Sequence, residues 1–261
     1  MPSISVYNAQ GECIRSVSAE EKAILVYPRP YQEGDYLKIC GDSAPCHLRV
    51  CVDQTVQSGC VYLPGGEMIY RIPFGESMRA YPPNAFQGPK HLLIAEAMTA
   101  EEISSYRNIA ENPVDQRGDV TAYPHATANV ETRGESVFAA RNVIDGWVIN
   151  HKHGDWPFQS WGIGIREDAW LQIDFGREVA INEVEIFLRA DFPHDAYWTQ
   201  TVISLSDGTE HVLPLTKTGN GQRFDIGAHT ITWLKFDRMI KCTDSESPFP
   251  ALTELRVYGR G

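Results

Sequence analysis

Apolar and polar residues alternate with a period of two along most of the chain, in short runs broken by Gly, Pro, Asn and Asp. This is the pattern of half-buried β-strands and their turns. In the N-terminal part, 22–27, 35–40, 48–53, 60–63, 68–72 and 92–95 read as strands, with turn signals such as Pro64-Gly65-Gly66 between them. One helix is expected. Thr99 and Glu102 form a capping box, Ile103, Tyr106 and Ile109 follow at helical spacing, and Asn112-Pro113 ends the segment. The polar, turn-rich stretch after it reads as a boundary. Alternation then resumes: Leu171, Ile173 and Phe175 share one face of a strand over 170–175, and Val184, Ile186 and Leu188 one face of 183–189. Strands over 201–206 and 210–215 flank the hairpin signal Asp207-Gly208, and 230–236 and 253–258 supply two more. The pattern predicts an all-β protein of two antiparallel β-sandwich domains, 1–98 and 119–261, joined by a helix and linker over 99–118.

Charge narrows the function. Among 261 residues, 23 Lys and Arg stand against 34 Asp and Glu, a net charge of −11. A nucleic-acid or anionic-membrane surface needs the opposite surplus, so neither partner is expected. No apolar run is long enough for a membrane-spanning helix. The segment Met1 to Tyr7 lacks the basic and apolar regions of a signal peptide. With Met1 as the native start the expectation is a cytoplasmic protein, and a secreted one if a leader has been removed. Cys13, Cys40, Cys46, Cys51 and Cys60 precede a lone Cys242 at spacings that match no zinc ribbon or redox pair. Free thiols are expected, with a Cys40–Cys51 disulfide as the alternative. The oligomeric state is not legible.

Three segments carry a resemblance. They are the run from Ala139 to Asp145-Gly146, the strand from Ala169-Trp170 to Phe175-Gly176, and the closing run from Leu252 to Tyr258-Gly259. In this order they resemble the discoidin, or coagulation factor type C, domain of galactose-binding-like jelly-roll fold, and are similar to family 32 carbohydrate-binding modules. The resemblance spans about 120–261; the N-terminal domain resembles no family. It implies a structural calcium ion held by the side chains of Asp145, Asn150 and Glu254 and the carbonyls of Asn142, Trp147 and Thr253. Calcium takes six to eight oxygens in flexible geometry, which such a set supplies. The bland reading is that Asp145 caps a tight turn.

Two loops, 150–161 and 189–198, concentrate the groups that bind sugars. Trp156, Trp161, Phe192, Tyr197 and Trp198 offer aromatic faces. Arg189, Asp191, His194 and Asp195 offer donors and acceptors, and Phe249 completes the rim. Family members place a binding Arg after this strand and a His in the neighbouring loop, which implies Arg189 with His151 or His153. Since Leu188 faces inward, Arg189 is expected to leave the core face with an exposed guanidinium. The competing readings are a buried Arg189–Asp191 bridge, and Trp161 and Trp198 as plugs of the sandwich end. The functional expectation is a non-catalytic, saccharide-binding protein. The alternatives are a metal-dependent hydrolase using His151, His153 and Asp155, and a protein-interaction scaffold.

Overall fold

The computed structural model describes every residue of the chain except Asp119 and His194. The N-terminal half is a sandwich of two four-stranded antiparallel sheets. One orders β2 (Cys13–Ser18), β1 (Ser3–Tyr7), β4 (Tyr36–Cys40) and β7 (Glu67–Arg71); the other orders β3 (Lys22–Tyr27), β8 (His91–Ala97), β5 (Cys46–Cys51) and β6 (Gly59–Leu63). Period-two burial drives it: Ala23, Leu25 and Tyr27 of β3 face a core shared with Ile4, Leu37, Leu48, Val61 and Tyr70. The sequence pattern missed β1 and β2. The first is short, and the second is an exposed edge strand with little apolar signal. All six cysteines are free thiols; Cys40 and Cys51 lie in different sheets.

The C-terminal half is built from β10 (His125–Ala128), β11 (Trp161–Gly162), β12 (Leu171–Leu188), β13 (Trp198–Leu205), β14 (Glu210–Pro214), β15 (Gln222–Lys241) and β16 (Ala251–Arg260), with β9 (Arg107–Asn108) added to the edge of β16. The two strands expected over 170–175 and 183–189 are one strand. β12 begins against β10 and the 233–236 part of β15, then shifts register between Asp174 and Val179. From there it continues between the earlier part of β15 and β16. Bulges let one strand serve both layers of the sandwich. Trp161, Trp198, Phe175 and Phe236 fill the space between the layers.

The expected helix starts as read, at α1 (Ala100–Ser104), with the reciprocal Thr99–Glu102 capping box. It ends early. Tyr106 and Ile109 are not helical, because Asn108 and Arg107 pair in register with Tyr258 and Gly259 of β16. The stretch that follows is polar yet buried, since its side chains satisfy backbone groups. Asn112 donates to Pro124 O at 2.8 Å, and Asp115 accepts from His125 Nδ1 at 2.8 Å and Ala126 N at 3.0 Å. Ile109 and Ala110 belong to the C-terminal core, Val114 and Ala122 to the N-terminal one. Arg141 reaches back to the Asp115 and Pro113 carbonyls and lies over the Tyr81 ring at 4.9 Å. The two sandwiches are therefore joined by a packed seam.

Gly176 shows how tight that seam is. Its φ is +66°, and a Cβ there would stand 2.5 Å from the Tyr123 ring, whose backbone bridges to Tyr62 of β6. Gly176→Ala combines a left-handed backbone cost with overpacking, so it should lower unfolding stability by about 2–4 kcal/mol in urea titration. A loss below about 0.5 kcal/mol would show that the seam yields freely.

Candidate functional site

Arg189 follows directly on β12, and its amide donates to Ala251 O of β16 at 3.0 Å. Its guanidinium is not exposed as the alternation suggested. The residue is 5% exposed, and Nε stands 2.6 Å from Oδ1 of Asp191, itself buried. The guanidinium also donates to Phe249 O, while the other Asp191 oxygen meets His153 Nδ1. Ala190 N donates to Asn150 O at 3.0 Å, so Arg189 is held between the loops that carry Asn150, Asp191 and Phe249. Burial pulls its pKa below the usual arginine value, against the opposing pull of Asp191. Arg189, Asp191 and His153 thus form one ionic cluster across two loops. Arg189, His153 and Phe249 line a depression of about 140 Å³ whose apolar wall includes Phe138 and Ile163.

The other expected ligands are placed elsewhere. Trp198 is 1% exposed and packs on Trp161 and Phe236, so it is core rather than ligand-facing. Asp195 pairs with Lys217 at 2.7 Å instead of Arg189. Trp156 stands edge-on to Trp147, and its amide donates to Arg79 O, which puts it at the seam with the N-terminal sandwich. His151 packs edge-on to Phe158. Phe192 is 89% exposed. His194 lies outside the described residues. His151, His153 and Asp155 diverge, because Asp155 turns to Arg79 Nε at 2.7 Å and His153 to Asp191.

A second cluster lies farther along β16. The register of β16 jumps between Leu252 and Glu254, leaving Thr253 in a bulge, and five consecutive residues from Ala251 to Leu255 are buried. Glu254 Oε2 accepts from Gly146 N at 3.2 Å, so the closing strand meets the Asp145-Gly146 turn. Asp145 accepts from Trp147 N at 3.0 Å and Gln159 Nε2 at 2.7 Å. Burial, with Asp145 beside it, pushes the Glu254 carboxyl well above the usual carboxylate range. Burial pushes Asp145 up to about 6, against the pull of Arg141. Glu111, which the sequence reading passed over as linker, adds to both shifts and lies beside Gly146.

Two like charges in one buried space call for a positive partner. Glu254 Oε1, Gln159 Oε1 and Thr253 Oγ1 are buried without a hydrogen-bond donor. This oxygen-rich donor set fits a hard cation. Among the described residues no three His, Cys, Asp or Glu side chains converge as a metal cluster, so such an ion would lean on amide and carbonyl oxygens besides the two carboxylates. Asn150 uses its amide nitrogen to tie two segments. Its amide donates to Leu188 O at 2.8 Å and Gly219 O at 2.6 Å, tying the end of β12 to the turn before β15. The Asn142 side chain donates to Ser136 O at 2.9 Å, a bond that does not involve its main-chain carbonyl.

Structural neighbours of the chain are family 32 carbohydrate-binding modules and lectin domains. A chitosan-binding module from a chitosanase/glucanase of Paenibacillus sp. IK-5 is 20% identical over 59% of this chain and 99% of its own, with a TM-score of 0.41. The family 32 module of C. perfringens NanJ, solved with galactose, is 17% identical over 51% of this chain and 91% of its own, at 0.38. The lectin domain of lectinolysin, solved with Lewis b antigen, is 16% identical over 59% of this chain and 98% of its own, at 0.44. No family model and no curated protein matches the sequence. No helix among the described residues is long and apolar enough to cross a membrane.

Two measurements follow from the buried charges. Arg189→Ala leaves the Asp191 carboxylate buried without its guanidinium, so urea unfolding should show a loss of about 3–5 kcal/mol. A loss under about 1 kcal/mol is what an exposed pair would give, and would refute the buried bridge. The Asp145 carboxyl has a folded pKa above its unfolded one. The metal-free native state therefore holds a proton that the unfolded chain has released, and stability falls as pH rises from about 4 to about 6. In chelator at pH 7, Asp145→Asn should melt higher than the parent protein, and its stability should vary less with pH across that window. A variant that melts lower at pH 7 would contradict the shift.

Proposed function

We propose that the C-terminal sandwich binds a saccharide without transforming it, in the depression walled by Arg189, His153 and Phe249. The observation that carries this reading is the ionic cluster itself, held in fixed geometry beside an aromatic side chain that is 41% exposed. A sugar offers paired hydroxyls and an apolar C–H face. Recognition of it needs polar groups fixed in advance and an aromatic surface next to them. The depression is small and shallow, so it would take one terminal sugar residue rather than a long chain. The divergent partners of His151, His153 and Asp155 leave the hydrolase alternative without a converging ligand set.

The same reading gives Asp145 and Glu254 a calcium ion. The ion would neutralise the like-charged pair and clamp the Asp145-Gly146 turn to β16, a few residues from Ala251, where Arg189 is anchored. Its part is structural, holding the loops that shape the depression.

A glycan array probed with the parent protein, His153→Ala and Phe249→Ala tests the sugar site. Each variant should lose at least about tenfold in binding, near 1.4 kcal/mol, while its melting temperature stays close to the parent's. Retained binding in both variants would overturn the site. Calcium is tested separately by melting in chelator and in excess calcium. At a hundredfold excess over the dissociation constant the ion should add roughly 2.7 kcal/mol of stability, and Asp145→Ala should abolish that response. Identical melting curves in both buffers would refute the ion and leave the sugar test standing.

A further inference from the structure

Beside the middle of β12, two imidazoles face each other. His211 of β14 and His229 of β15 place their Nε2 atoms 3.2 Å apart, with the rings nearly perpendicular. The carbonyl oxygen of Ile226 stands 2.9 Å from the same His229 Nε2. Behind it, His229 Nδ1 meets Asp207 Oδ2 at 2.7 Å, in the turn between β13 and β14. A carboxylate at Nδ1 fixes that proton there and turns the Nε2 lone pair outward. His229 Nε2 then faces two lone-pair-bearing atoms, His211 Nε2 and the Ile226 carbonyl oxygen, and either a proton or a metal ion satisfies that contact.

We infer that His211 and His229 form a binding site for a divalent transition-metal ion of the zinc type, with Asp207 as the orienting partner of His229. Nitrogens bound to tetrahedral zinc at about 2.0–2.1 Å stand about 3.3–3.4 Å apart, close to the separation seen here. Imidazole pairs suit zinc, copper and nickel, unlike the all-oxygen set around Asp145. The Ile226 carbonyl and water would complete the coordination. The side chains of His229 and Asp207 are 15% and 29% exposed, so an ion can enter from solvent. The site is distinct from the sugar depression: His229 pairs with Ile181, and Leu188 ends β12 seven residues on, roughly 20 Å away. Nothing about zinc depends on the saccharide reading.

The test is a zinc titration of tag-free, metal-stripped protein at neutral pH, followed by calorimetry and by the imidazole resonances. The expected result is one zinc per chain, with His211 and His229 resonances shifted together. His211→Gln and His229→Gln should each abolish uptake while melting in chelator stays near the parent value. Asp207→Asn should weaken binding by about 10–100-fold. Asp145→Ala should leave zinc uptake intact, which separates this site from the carboxylate pair. Absence of uptake, or uptake that survives His211→Gln, overturns the proposal. So does an imidazole pair that titrates with pH and ignores zinc, since a shared proton alone then fills the gap.

Discussion

Every backbone amide inside a bent sheet must find a carbonyl, and in this protein that requirement falls on the pairing of β12 with β15. Their 18 and 20 residues run through both layers of the C-terminal sandwich. Register shifts near Gly176 and Asn182 allow the bend without abandoning the ladder. The consequences reach each functional element. The last residues of β12 deliver Arg189 under its loop, and the β16 partner carries Glu254 into the interior. The β15 partner sets His229 opposite Ile181, midway along β12. A one-residue slip would reverse the faces and dissolve all three arrangements.

Two buried charge clusters show opposite solutions to the same electrostatic problem. At Arg189 and Asp191 the charges have opposite sign, and a third group, His153, shares the carboxylate. That cluster is internally compensated and holds two loops in place. At Asp145 and Glu254 the charges have the same sign, with Arg141 and Arg256 only partly offsetting them. Such a pair either keeps protons or gains a cation. The seam with the N-terminal sandwich lies beside this second cluster, through Arg141, Trp147 and Trp156, so the state of the pair bears on how the halves are held.

Much of this was legible in the chain because local patterns were strong. The alternation of Leu171, Ile173 and Phe175, the Asp207-Gly208 hairpin and the Thr99–Glu102 capping box each state a local preference that the tertiary structure had no reason to override. The meeting of the Asp145-Gly146 turn with the closing strand was also readable, since the family resemblance implied shared ligands from those two segments. The loops were harder. Trp198 and Asp195 carry the same residue types as sugar ligands, but one fills the core and the other answers Lys217.

Sequence by itself determined most of the strands, the two-sandwich plan and which loops gather polar and aromatic groups, because period-two burial and turn chemistry act between near neighbours. Only the tertiary structure decided that the polar stretch around Asn112 and Asp115 is a buried seam, since its side chains are satisfied by Pro124 O, the His125 ring and Ala126 N. It alone buried Arg189, whose partners Asp191 and Phe249 come from two loops while His153 of a third meets Asp191. And it alone brought His211 to His229, because β14 and β15 are not paired and no local run of residues states that contact.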